Sequence, residues 1–142
     1  MSPLKLVLDT NVIVSALLWG GVPYQFIRAA TEGDIELFTS RALLDELHEV
    51  LVRPHLTKRL TRYRLTAEQA TTQYGELAQC VQPTAVPRVV PNDPDDDHVL
   101  AAAVTAQADL IVSGDGHLLR LGSHQGIAIV TARQALERVA RV

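Results

Sequence analysis

Residues 6–18 read LVLDTNVIVSALL, and this stretch is the starting point for the fold prediction. Its first three residues form a short apolar run, which indicates a strand buried on both faces. The part from Asn11 to Leu18 is typical of a short helix, and Gly20-Gly21 closes it. A buried strand that leads directly into a helix favours an α/β fold.

The same alternation of strands and helices continues along the chain. Further strands are expected over residues 35–38, 110–112 and 127–130, and helices over 23–32, 41–53, 56–63, 95–108 and 132–139. Thr66 and Gln69 form a capping-box pattern that opens another helix. Four prolines keep residues 82–94 extended. Because the alternation implies a parallel sheet covered on both faces, we predict one α/β domain over residues 1–142.

Composition narrows the class of protein. The chain has 47% hydrophobic residues, which excludes a disordered tail, and a net charge of −3, which by itself gives no support for nucleic-acid binding. The single cysteine, Cys80, cannot form an intrachain disulfide and is interpreted as a small core residue. No stretch has the pattern of a membrane span or a targeting signal, so we expect a cytoplasmic protein with no membrane partner.

Two aspartates follow predicted strands. Asp9 comes directly after residues 6–8, and Asp115 follows residues 110–112 after Ser113 and Gly114. Ligands bind at the carboxyl ends of strands in open parallel sheets, so both aspartates are candidate site residues. The alternatives are a helix cap for Asp9 and a plain Asp-Gly turn for Asp115.

A third acid comes from the helix that starts at Arg41. Glu46 lies at the edge of the apolar stripe of this helix, whereas Asp45 and Glu49 lie on the opposite side. Of these three acids, only Glu46 can point toward the sheet. The alternative is an ordinary glutamate at the boundary of a buried face.

The segment 93–97 reads DPDDD, with four aspartates in five residues. One aspartate suffices to cap a helix, so the others require a different explanation. Asp97 lies in line with Ala101 on a small apolar helix face, which predicts that it is held at the inner edge next to the sheet. Asp95 and Asp96 are interpreted as caps or as support for Asp97.

Four converging carboxylates repel one another, and a divalent cation reverses that balance. Oxygen ligands select hard ions such as Mg²⁺ or Mn²⁺, which activate water for attack on a phosphodiester. The histidines lack zinc-ligand spacing. His98 and His117 adjoin the acids and could contact a substrate phosphate, or they are simply surface histidines.

A basic segment lies in the middle of the chain. Five cations within twelve residues, with no acid among them, are suited to contact a phosphate backbone: Arg53, Lys58, Arg59, Arg62 and Arg64. A solvated helix face is the alternative. The segment contains one aromatic residue, Tyr63, which alone is no platform for base stacking.

Four motifs together resemble the PIN-domain family. They are Asp9-Thr10-Asn11-Val12, Ser40-x-x-Leu43-Leu44-x-Glu46-Leu47, Asp97-x-x-Leu100-Ala101 and Ser113-Gly114-Asp115, in order over residues 4 to about 130. Within that family the chain is most similar to the VapC-like bacterial toxin ribonucleases.

The resemblance implies a PIN-like three-layer α/β/α sandwich with a central parallel sheet. It implies a Mg²⁺- or Mn²⁺-dependent endoribonuclease that acts on RNA, forms a homodimer and is inhibited by a cognate antitoxin. The implied metal-binding and catalytic acids are Asp9, Glu46, Asp97 and Asp115, supported by Asn11 and Ser113, with Asp96 as a further candidate.

Two other functions compete with this interpretation. One is a weakly catalytic or non-toxin PIN domain that binds RNA or protein, which the basic segment would serve. The other is phosphoryl transfer through an aspartyl intermediate. That chemistry needs a lysine late in the chain, and the only lysines are Lys5 and Lys58.

Overall fold

A computed structural model describes residues 3–86, 88–89 and 94–140 of the chain. Its strands are β1 (Leu4–Leu8), β2 (Ile35–Ser40), β3 (Gln79–Val81), β4 (Leu110–Val112), β5 (Ser123–His124) and β6 (Ile127–Val130). Its helices are α1 (Thr10–Leu18), α2 (Gly21–Thr31), α3 (Arg41–Leu51), α4 (Pro54–Arg62), α5 (Ala67–Leu77), α6 (Pro94–Ala106), α7 (Gly116–Leu121) and α8 (Ala132–Ala140).

The strands form one six-stranded sheet in the order β3-β2-β1-β4-β6-β5. All neighbouring strands are parallel except β5, which pairs antiparallel with β6 at one edge. The predicted parallel sheet is therefore confirmed, with one short antiparallel strand added. The tight turn at Gln125-Gly126, where both residues have positive φ, connects that strand to β6.

Helices cover both faces of the sheet, because apolar side chains of the central strands alternate between two cores. Leu6 and Leu8 face a core built with α1, α2, α3, α4, α5 and α8. Val7 and Ile111 face a second core built mainly with the alanine-rich α6 and with α7. The three-layer α/β/α arrangement predicted from the sequence is confirmed, and alanines of α6 fill much of the second core.

The order of the strands creates a crevice between β1 and β4. The chain starts in β1, adds β2 and β3 on one side, and then returns to place β4 and β6 on the other side. Such a reversal is a topological switch point, and ligands bind there, beyond the carboxyl ends of the strands. Leu8 and Val112 are register partners at those ends, so the residues that follow them lie side by side.

Several sequence predictions differ from the structure. Strands β3 and β5 and helix α7 are not predicted by the sequence pattern; they are only three, two and six residues long. Pro94 was expected in the extended segment, yet it opens α6, because the first turn of a helix needs no amide proton there. Cys80 was wrongly interpreted as a core residue: it is exposed on the edge strand β3.

Part of the proline-rich segment lies outside the described residues. This applies to Pro87, Pro91 and Asp93, so the predictions for them have no structural counterpart. Within the described ranges, no single helix is both long and apolar enough to cross a membrane. Only α1 and α2 taken together satisfy that length and composition, and they are bent by 91° at their junction.

Candidate metal centre

Asp9 stands at the point where β1 becomes α1. Its backbone N–H donates to the carbonyl of Val112 at 2.9 Å and so extends the pairing of β1 with β4 by one residue. Its Oδ1 accepts from the N–H of Thr10 at 2.8 Å, which makes it the N-cap of α1. The side chain is buried, with only 6% of the residue exposed. The cap that was the alternative interpretation of Asp9 is present, and the second carboxylate oxygen makes another contact.

That second contact is with Ser113, which follows β4 and is fully buried. The Ser113 hydroxyl donates to Asp9 Oδ2 at 2.8 Å and accepts from the backbone N–H of Asp115 at 2.9 Å. One hydroxyl thus joins the two acids that follow β1 and β4. Residues 104 positions apart in sequence meet because their strands are neighbours.

Asp115 caps α7 and faces His117. Its Oδ1 accepts from the backbone N–H of His117 at 2.6 Å and lies 3.7 Å from the imidazole Nδ1 of the same residue. About a quarter of the Asp115 side chain is exposed, against about half of His117. Asp115 is therefore fixed by backbone contacts, yet its carboxylate remains open to a small ligand.

Asp96 reaches the same point from the other side of the crevice. Potential ligand atoms of Asp96, Asp115 and His117 all lie within 4.8 Å of one another, a spacing that one metal ion can bridge. Asp96 is almost fully buried in the first turn of α6. The partial positive charge at a helix N-terminus stabilises carboxylates placed there.

Asp97 and Glu46 complete the set of acids predicted from the sequence. Asp97 is buried, and its Oδ1 accepts from the N–H of Val89 at 2.9 Å, which fastens the segment before α6. Glu46 is half-buried on α3, a helix that packs against both α1 and α6, whereas Asp45 and Glu49 are exposed. Neither Asp97 nor Glu46 belongs to the close group around Asp96, and their role as metal ligands stays a prediction.

The chemistry of the donors fits a divalent cation. Burying Asp9 and Asp96 near the partly exposed Asp115 carries a cost in desolvation and mutual repulsion. A dication held by carboxylate oxygens offsets that cost. Imidazole nitrogen is an accepted ligand for Mn²⁺ but a poor one for Mg²⁺, so His117 broadens the range of metals that this donor set suits.

The sequence pattern singled out Asp97 on α6, while the structure brings its neighbour Asp96 to Asp115. Both aspartates lie in the first helical turn, and a half-buried turn gives no periodicity that separates them. His117 enters the group because α7 begins immediately after Asp115, and this helix was not predicted. An aspartate cap followed by the apolar pair Leu118-Leu119 is the signal that would have revealed it.

The remaining predicted residues lie on α1 and on or beside α4. Asn11 is exposed on the first turn of α1. The five cations of the basic segment lie on α4 or at its ends, and all are exposed except Arg59, which is partly buried.

A family model described as PIN domain matches residues 5–117, which include every acid discussed above as well as His117. The comparison with curated proteins gives no significant match.

Proposed function

Because this chain belongs to the PIN domain family, we propose that it is a Mg²⁺- or Mn²⁺-dependent endoribonuclease that hydrolyses RNA phosphodiester bonds. Membership of the family suggests nuclease activity, and an acidic group suited to a metal is present. That the substrate is RNA and that the ion is Mg²⁺ or Mn²⁺ are parts of our proposal. It is supported by the oxygen-rich donors and by the basic helix α4.

One observation carries the proposal: the acids gather at the switch point of the sheet. Asp9 and Asp115 are joined there by Ser113, and Asp96 meets Asp115 from α6. Carboxylates gathered in this way repel one another, so the group suits a ligand that carries positive charge. Structural caps alone would explain Asp9 and Asp115 but not the approach of Asp96.

We assign the metal-binding acids as Asp9, Glu46, Asp97 and Asp115, with Asp96 and His117 as additional donors. A divalent ion bound there supplies an activated water and stabilises charge on the phosphodiester. The chain's own part is to hold the carboxylates in place. Ser113 fixes the orientation of Asp9, and the N-terminus of α7 fixes Asp115.

We further propose that the protein is the toxin of a toxin–antitoxin pair, acts in the cytoplasm as a homodimer and is restrained by a cognate antitoxin. The similarity of residues 9–17 and 93–97 to VapC-like toxins supports this finer assignment. Induced expression should then arrest bacterial growth, and co-expression of the product of an adjacent short reading frame should restore it. Unimpaired growth at high expression of active enzyme would contradict the toxin role.

Cleavage of RNA by the purified protein tests the enzymatic proposal. We expect cleavage of a single-stranded RNA with Mn²⁺ or Mg²⁺, and none with a chelator. Asp9→Asn should lower the cleavage rate at least about 100-fold, because one carboxylate is lost while the amide oxygen keeps the cap of α1. Glu49→Gln, at an exposed acid on α3, is the matched control and should retain full activity.

A second function, an RNA-binding module with little catalysis, is favoured by the cations of α4. The same preparation distinguishes the two. Tight RNA binding that is indifferent to metal, with no cleavage in Mn²⁺, would establish the module and exclude the enzyme. Full activity of Asp9→Asn in excess Mn²⁺ would exclude the site as assigned.

A further inference from the structure

Half of the aromatic side chains of this protein lie on its surface. The chain has one tryptophan, three tyrosines and two phenylalanines. Both phenylalanines and Tyr74 are buried, whereas Trp19, Tyr24 and Tyr63 are each about half exposed. A protein with so few aromatic residues would gain more stability by placing them in the core.

Trp19 and Tyr63 are held together at the end of α1, although they are 44 positions apart in sequence. The Arg59 guanidinium lies over the Trp19 ring, 4.9 Å from its centre. Arg59 Nε and the Tyr63 hydroxyl both donate to the carbonyl of Leu18, at 2.9 and 3.1 Å. We call Trp19, Arg59 and Tyr63 the aromatic–arginine patch.

Capping of α1 explains only part of this arrangement. A cation near the last carbonyls of a helix is favourable, and one donor satisfies the Leu18 carbonyl. The patch supplies two donors and leaves two large rings half in water. Tyr63 is held by its own hydrogen bond, and the Trp19 ring is held by the hydrogen-bonded Arg59 guanidinium that lies over it. Both rings are therefore restrained, which lowers the entropy cost of binding a flat partner.

The charge around the patch is positive. Arg53, Lys58, Arg62 and Arg64 lie on or beside the same helix, α4, and residues 50–67 contain no acid. Among the described residues, none of these cations or Arg59 forms an ion pair. Elsewhere on the surface, Arg28 pairs with Glu32. The cations of α4 are therefore available to an anionic partner.

We infer that the aromatic–arginine patch binds single-stranded RNA, with a base stacked on the exposed rings and the neighbouring phosphates on the cations of α4. This inference rests on the proposed function for the choice of RNA. Rings that stack on bases, combined with cations that follow the backbone, are how proteins hold single strands without reading sequence. The ten residues from Asp9 to Trp19 span about 15 Å along α1, so one strand can contact both the patch and the acidic site.

Fluorescence of the protein's single tryptophan tests this directly, because excitation at wavelengths that tyrosine does not absorb gives emission from Trp19 alone. The probe is a short oligouridylate, titrated into the full chain with a chelator present so that binding is measured without cleavage. A ribose-phosphate oligomer of equal length without bases is the control ligand. We expect saturable quenching by oligouridylate, and weaker binding without quenching by the abasic oligomer.

Variants separate stacking from charge. Trp19→Ala should weaken binding of labelled oligouridylate about 5- to 150-fold, the range that corresponds to loss of one stacked base, and Trp19→Phe should retain most of the affinity. Arg62→Ala should weaken both oligomers equally and reduce the salt dependence of binding. Arg28→Ala, at a paired arginine outside the patch, should change neither. Far-ultraviolet circular dichroism confirms that each variant is folded.

Binding of oligouridylate without a change in Trp19 emission, or with equal affinity in Trp19→Ala, would overturn the inference and favour a protein partner for this surface. Failure of the proposed enzymatic function looks different. If RNA quenches Trp19 emission but is never cleaved, the inference about the patch stands and the proposed nuclease activity is refuted. If RNA is cleaved but Trp19 emission does not change on binding, the nuclease activity stands and the inference about the patch is refuted.

Discussion

The two carboxylate oxygens of Asp9 have different structural roles. One oxygen caps α1, which an asparagine would also do, while the other is oriented by the Ser113 hydroxyl. The position of Asp9 directly after β1 could be predicted from the sequence, because an apolar run that ends in an acid indicates the end of a strand. The Ser113 contact was not readable, since it depends on which strand lies next to β1.

Ser113→Ala removes the hydroxyl that bridges Asp9 and the Asp115 amide. We expect metal affinity to fall about 10- to 100-fold, the usual cost of losing a group that orients a ligand. Isothermal titration with Mn²⁺ measures this. Ser123→Ala, at an exposed serine on β5, is the control and should bind as the wild type does. An unchanged affinity in Ser113→Ala would show that Asp9 needs no such orientation.

Tyr74 shows how a buried group makes stability depend on pH. Its side chain is fully buried and its hydroxyl has no hydrogen-bond partner among the described residues. Burial raises the pKa of Tyr74 above the ordinary value near 10. Above that pH the unfolded chain releases the phenol proton while the native chain retains it, so Tyr74 lowers stability as pH rises further.

Tyr74→Phe should therefore unfold less readily in alkali than the wild type does. At pH 7 we expect the free energy of unfolding to be unchanged or slightly higher, because a buried hydroxyl without a partner is removed. Above pH 10 the advantage of the variant should grow by up to about 1.4 kcal/mol per pH unit. Urea titrations at pH 7 and pH 11 measure it; equal pH dependence of the two proteins would refute the burial argument.

At the scale of elements, the prediction was reliable for those helices and strands that have a sequence signal of their own. The capping box of Thr66 and Gln69 was predicted, and both of its hydrogen bonds are present at the start of α5. Strands β3 and β5 carry no comparable signal, because edge strands of two or three exposed residues are defined by their neighbours. Helix α7 was hidden by the Asp-Gly pair, which is equally typical of a turn.

Thr66→Ala removes one half of that capping box. We expect the free energy of unfolding to fall by about 1 kcal/mol, the typical cost of a lost N-cap. Helix α5 packs against α3, which carries Glu46, so the loss should spread beyond one turn. Thr72→Ala, at an exposed position inside the same helix, is the matched control. Chemical denaturation measures the free energy of unfolding of both variants. Equal values would mean that packing alone stabilises α5.

At the scale of the whole molecule, the order of the strands determines the site. The alternation of strands and helices predicted a parallel sheet, and the handedness of crossovers restricts how it winds. Neither dictates that β4 returns to the side of β1 away from β2, yet this return places Asp115 beside Asp9. The acids could therefore be proposed from sequence, whereas the approach of Asp96 to Asp115 depends on how α6 packs on the sheet.

We propose that the acids that follow β1 and β4 share one divalent ion with an acid of α6. Titration calorimetry with Mn²⁺ on the full chain tests it most directly, with Asp115→Asn as the variant and Asp45→Asn, an exposed aspartate, as the control. We predict saturable binding by the wild type and the control, and at least about 10-fold weaker binding by Asp115→Asn. No saturable binding by the wild type, or equal binding by Asp115→Asn, would contradict the claim.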